Sequence, residues 1–142
     1  MTDAVERTGK CLCGTVRVTV KTEARAFGAC HCSMCRTWTG GPMFALECGD
    51  NLRIEGSDAV SVYGSSEWAE RGFCSHCGTH LFYRLRGQPF YAVPVGLLEP
   101  QADLVFEHQI FIDEKPAHYA FANETENLTG QEVFERFEPP TG

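Results

Sequence analysis

The chain of 142 residues has no run of 18 apolar residues and no apolar segment in its opening stretch, MTDAVERTGK. The first lack excludes a membrane-spanning helix, and the second leaves no secretory signal to expect. Cations are scarce late in the chain. Residues 99–142 hold two Lys or Arg against ten Asp or Glu, a net of −8, whereas residues 1–98 hold ten against nine, a net of +1. Binding to phosphate relies on clustered Lys and Arg, so no nucleic-acid partner is expected. The acidic end reads as a solvated face that aids solubility. There is no internal repeat and no long segment of helical period.

Cysteine, in contrast, is abundant, with eight residues. Without an export signal the expected compartment is reducing and cytoplasmic, where tightly spaced cysteines bind metal more often than they form disulfides. The rest of the composition, 43% hydrophobic and 22% charged, is that of an ordinary globular chain and suits one compact domain.

The dominant period is two. Thr15-Val16-Arg17-Val18-Thr19-Val20 alternates as a half-buried strand should. Short β-rich runs follow at 43–46, 52–54, 60–63, 81–85, 90–95 and 104–112, punctuated by Gly, Asp, Asn or Pro. This pattern predicts an all-β fold of antiparallel strands. The domain is expected over residues 1–122, followed by a loose acidic C-terminal tail over 123–142 with one short helical turn near Glu132–Phe137. Exposed strand edges would allow a homodimer.

The cysteines form two constellations. Cys11-Leu12-Cys13-Gly14 and Cys74-Ser75-His76-Cys77-Gly78 each set a pair beside a glycine, which lets the backbone turn tightly around an ion. Four thiolates make a closed tetrahedral zinc site, and such a site contributes directly to folding free energy. A thioredoxin-like pair at Cys74 and Cys77 would need a βαβ context that the sequence does not offer. The second constellation is ACHCSMCRTWTGG, with Cys30, Cys32 and Cys35. In an extended segment Cys30 and Cys32 face one side and His31 the other, and Cys35 returns across a short turn. Three protein ligands and an open fourth place are the pattern of a catalytic zinc. Cys48 is the rival for that place: if it closes the site, both zincs are structural and the chain is a non-catalytic binding module. Otherwise Cys48 is a buried thiol on its strand. Arg36 either lowers the pKa of the neighbouring thiols or is simply solvated. Trp38 either walls a small pocket or is core.

The segments KCLCGTVRVTV, CHCSMCRTWTGG, RGFCSHCGTHLFYRL, VPVGLLE and IFIDEKP occur in that order over residues 9–119. Together they resemble the glutathione-dependent formaldehyde-activating enzyme family, whose zinc-binding domain is shared with centromere-protein-V relatives. The resemblance implies a β-tent fold, antiparallel sheets organised around zinc, with two zinc ions per chain. By the same resemblance Cys11, Cys13, Cys74 and Cys77 match structural zinc ligands, and Cys30, Cys32 and Cys35 match catalytic ones. The implied function is that of a zinc-dependent carbon–sulfur lyase joining or parting a small-molecule thiol, glutathione in the family, and an aldehyde. Arg36 is the neighbouring cation, Arg71 a second candidate for that role, and His31 and His76 are candidates to move the proton.

Overall fold

The computed structural model describes residues 3–137. Eleven strands and two short helices make up the described residues, so the all-β reading holds. The chain divides into two compact units, residues 1–25 with 45–104 and residues 26–44 with 105–142; the division falls within one strand, Met43–Gly49.

The first unit holds two antiparallel sheets. In one, β1 (Val5–Lys10) pairs with β2 (Arg17–Thr22), which pairs in turn with β5 (Leu52–Glu55). The alternation in the sequence is the reason this sheet has one dry face: Val16, Val18 and Val20 are fully buried, while Thr15 and Arg17 are exposed. Arg7 faces inward from β1. Its guanidinium donates to both carboxylate oxygens of Asp103 at 2.8 and 2.9 Å and to Pro100 O at 2.6 Å, which offsets the cost of burying the charge.

The other sheet of this unit runs β4 (Met43–Gly49), β9 (Tyr91–Pro94), β8 (His80–Leu85), β7 (Ala69–Cys74) and β6 (Val60–Tyr63), all antiparallel. Leu46, Leu81, Phe82 and Val93 are buried here. Gly72 is required on β7 because a Cβ there would meet the Phe82 ring at 2.3 Å.

In the second unit β3 (Ala26–Cys30) pairs with β10 (Val105–Ile110), and β10 with β11 (Glu126–Leu128). Both pairings are parallel, a departure from the expected uniform antiparallel arrangement. Antiparallel order follows from tight hairpins, and strands so far apart in sequence are not bound by one. Phe27, Phe44, Phe106 and Phe121 pack ring against ring at centroid distances of 5.1 to 6.2 Å.

Residues 126–137, within the stretch expected to be a loose tail, form β11 and helix α2 (Gly130–Phe137). A capping box starts that helix. Thr129 Oγ1 accepts from Glu132 N at 3.2 Å, and Glu132 Oε1 accepts from Thr129 N at 2.9 Å. Residues 138–142 lie outside the described residues. Among the described residues no helix is long and apolar enough to cross a membrane.

Candidate metal centres

The first unit brings Cys11, Cys13, Cys74 and Cys77 together, all four Sγ atoms lying within 4.8 Å of one another. Two similar turns present them. Gly14 donates its N–H to Cys11 O at 2.9 Å and Gly78 donates to Cys74 O at 2.8 Å, with φ of +80° and +79°. That left-handed conformation is why a glycine follows each second cysteine. The tripeptide Cys-Gly-Thr occurs at both turns. Cys13 Sγ lies 3.1 Å from Thr15 Oγ1, and Cys77 Sγ lies 3.2 Å from Thr79 Oγ1. The Thr79 hydroxyl, followed by backbone N–H groups, holds the Cys77 thiol down at about 5. Thr79 Oγ1 also accepts from Leu12 N at 3.1 Å, tying one turn to the other across 67 residues.

Zinc fits this group. A tetrahedron with zinc–sulfur bonds of about 2.3 Å has sulfur–sulfur edges of about 3.8 Å. Cys11 and Cys13 are 3.5 Å apart at sulfur, and Cys13 and Cys74 are 3.8 Å apart.

The second unit brings Cys30, Cys32 and Cys35 together, again within 4.8 Å. The backbone is extended at Cys30 and Cys32, as expected, whereas the short turn expected before Cys35 is the start of a helix. Cys30 ends β3, and Cys32 is the N-cap of helix α1 (Ser33–Thr39), with Cys35 buried in its first turn. Cys32 Sγ accepts from Cys35 N at 3.4 Å, so a thiol does the work that Ser or Asp usually does. Gly40, at φ 85°, closes the helix by donating to Arg36 O at 2.8 Å.

Electrostatics in this group call for a cation. Hydrogen bonds from Cys30 and Cys35 pull the Cys32 thiol down to about 2. Cys32 and Cys35 in turn push Cys30 up, through hydrogen bonding first and then burial and like charge. One thiolate is favourable and further ones are not, unless a metal ion neutralises them. The donor set therefore fits a thiophilic ion such as zinc.

Cys48 is not a member of this three-cysteine group. It is buried on β4, its Sγ 3.8 Å from Tyr91 O, and burial raises its thiol to about 11. Arg36 is half-buried, and its Nε donates to His31 O at 2.8 Å. Arg71 is buried on β7, 5.2 Å from the Tyr83 ring centroid. His76 is exposed on the turn between Cys74 and Cys77, and Trp38 is half-buried on α1.

His31 itself is fully buried. Its Nε2 is 2.8 Å from Gln109 Oε1 and its Nδ1 is 2.7 Å from Tyr119 Oη. Burial lowers its pKa. Neither Gln109 nor Tyr119 was singled out by the sequence, because an isolated Gln and Tyr carry no spacing signal.

The β scaffold carries two cysteine groups, one of four thiols and one of three, each of which could hold a metal ion. The sequence profile of the glutathione-dependent formaldehyde-activating enzyme family matches residues 6–114. The chain belongs to that family. An uncharacterized lyase of Schizosaccharomyces pombe is 35% identical over 129 residues, covering 90% of this chain and 94% of its own. A putative glutathione-dependent formaldehyde-activating enzyme of Halomonas elongata is 35% identical over 83 residues, 52% of this chain and 53% of that relative. One of the same description from Podospora anserina is 28% identical over 148 residues, 92% of this chain and 68% of the relative. A crystal structure of a Rhodobacter sphaeroides protein, 29% identical, superposes with a TM-score of 0.55 over 66% of this chain and 88% of that one. Membership and the relatives' lyase and formaldehyde-activating names support an enzyme.

Proposed function

We propose that the chain is a zinc-dependent carbon–sulfur lyase that forms or cleaves the adduct of a small thiol and an aldehyde at the three-cysteine group. The observation that carries this reading is the difference between the two groups: among the described residues one gathers four sulfurs and the other three. Four close a tetrahedron, whereas three leave a place for a substrate sulfur. The four-cysteine group is then structural, holding residues 11–13 to residues 74–77.

Zinc at the three-cysteine group supplies Lewis acidity, which favours the ionised form of a substrate thiol at neutral pH. The protein's own residues do the rest. Cys30, Cys32 and Cys35 hold the ion from one side. Arg36 follows Cys35 directly in the chain, and a cation there would offset part of the thiolates' negative charge. The family name supports glutathione as the thiol and formaldehyde as the aldehyde. A cavity of about 350 Å³ in the same unit, with Lys115 and Glu124 among its lining, offers both signs of charge to a thiol bearing ammonium and carboxylate groups. In the cleavage direction the carbon–sulfur bond of the hydroxymethyl thioether breaks, its electron pair stays on sulfur, and the hydroxyl proton leaves as the carbonyl forms. Free thiols in both groups suit a reducing compartment such as the cytoplasm.

The test is exchange spectroscopy on isotopically labelled formaldehyde with glutathione, comparing zinc-loaded protein with Cys32→Ser. The expected result is faster interconversion of free aldehyde and adduct with the wild type, and background rate with the variant. Background rate with the wild type, for glutathione and for a panel of other thiols and aldehydes, would favour a binding module with two structural zincs.

A further inference from the structure

His31 lies between two of the three cysteines, so anything that fixes its position fixes theirs. Every polar group it has is engaged. Its N–H donates to Ile110 O at 3.1 Å, and its carbonyl accepts from Arg36 Nε at 2.8 Å. The side chain is held at both ring nitrogens, by Tyr119 and by Gln109, 88 and 78 residues distant in sequence.

The polarity of this chain of hydrogen bonds follows from its far end. Thr125 has one hydroxyl proton and gives it to Asn127 Oδ1, at 2.6 Å. It therefore accepts from Gln109 Nε2, at 2.9 Å, which turns Gln109 Oε1 toward His31. An acceptor there requires a proton on Nε2 of His31, and Nδ1 faces the Tyr119 hydroxyl at 2.7 Å. The hydrogen bonds from Tyr119 through Gln109 to Thr125 thus fix one orientation of the His31 ring.

We propose that Gln109, acting through His31, is a positioning residue that holds Cys30 and Cys32 in metal-ready geometry. It contacts neither the cysteine sulfurs nor a reacting atom in this role. The peptide units on either side of His31 are those of Cys30 and Cys32, so a loosened His31 ring frees both sulfurs to spread under their mutual repulsion. This inference rests on the reading of the three-cysteine group as a metal site. Hydrogen-bond partners that orient metal ligands typically change metal affinity by roughly 10–100-fold.

The experiment is cobalt(II) titration of the metal-depleted full chain, following the sulfur-to-cobalt charge-transfer bands in competition with a chelator. The four-cysteine group in the other unit serves as an internal reference. Gln109→Met keeps the length of the side chain and removes the acceptor; Gln109→Glu keeps the acceptor. The expected result is two cobalt ions on the wild type, second-site affinity lower by about tenfold or more in Gln109→Met, and wild-type-like affinity in Gln109→Glu. Equal second-site affinity in the wild type and Gln109→Met overturns the positioning role while leaving the metal site standing. Equal weakness in the two variants also overturns it, because the acceptor would then be irrelevant. A single cobalt on the wild type overturns both the inference and the metal reading beneath it. If Gln109→Met fails to fold, Tyr119→Phe, which keeps the ring and deletes the other hydrogen bond, takes its place, and unchanged second-site affinity there is equally fatal.

Discussion

Cys32 Sγ accepts a hydrogen bond from Cys35 N at 3.4 Å, so one sulfur of the three-cysteine group is also the N-cap of the helix that carries another. Metal binding and helix capping share an atom. The two roles separate by substitution, because serine caps a helix well but is a poor ligand for a soft metal site, whereas alanine does neither.

Cys32→Ser is therefore expected to lose the second zinc with little change in fold, and Cys32→Ala to lose the zinc and about 1 kcal/mol of stability besides. Zinc stoichiometry by elemental analysis, with thermal unfolding of both variants in metal-free form, checks this. Equal melting of the two variants would show that the sulfur cap contributes nothing.

Losing an ion from the four-cysteine group has a larger effect. Cys11 and Cys74 are buried in the first unit, and ions in small zinc sites of this type contribute on the order of 10 kcal/mol to folding. Cys74→Ser is expected to yield protein without a cooperative unfolding transition at ambient temperature. Graded chelation of the wild type should release one ion with native circular dichroism retained, and the second together with unfolding.

Asp103 gives a pH dependence of known sign. Hydrogen bonding by the Arg7 guanidinium holds its carboxyl at about 2 against an ordinary 3.8. A depressed folded-state pKa means that its stabilisation is present above the unfolded value and is lost as pH falls through the folded one. Thermal midpoints of the wild type and Asp103→Asn should therefore differ at neutral pH and converge as pH drops from about 4 to about 2. A constant gap across that range would exclude the ion pair as the cause.

Gly72→Ala tests the close approach on β7. The new methyl would stand 2.3 Å from the buried Phe82 ring, and overpacking of this kind costs roughly 1–3 kcal/mol. A midpoint in denaturant unchanged from wild type would show that the ring has room to move.

Much of this was legible in the residues. The valine alternation over 15–20 marked the dry face of the first sheet, and Cys-x-Cys with Cys-x-x-Cys marked the four-sulfur group. Two strands without alternation were not legible. β3, with Gly28 inside it, and β7, with a buried Arg71, lack the pattern of period two because their neighbours, rather than water, decide which face is which. Helix α1 is only seven residues long, too short for a helical period to emerge among cysteines. In the C-terminal segment the expected helical turn near Glu132–Phe137 lies within α2, whereas strand β11 was not legible in so polar a stretch.

Local spacing by itself determined which cysteines act together within each segment, because ligands two or three residues apart are delivered by a single turn, whereas the joining of Cys11 and Cys13 with Cys74 and Cys77 is tertiary. Only the tertiary structure decided what surrounds them. His31 is buried and bonded at both ring nitrogens because Gln109 and Tyr119 reach it from 78 and 88 positions away, and Cys48 Sγ lies against Tyr91 O, 43 positions away. Partners so distant in sequence meet only after the strands have paired, and no reading of adjacent residues contains that meeting.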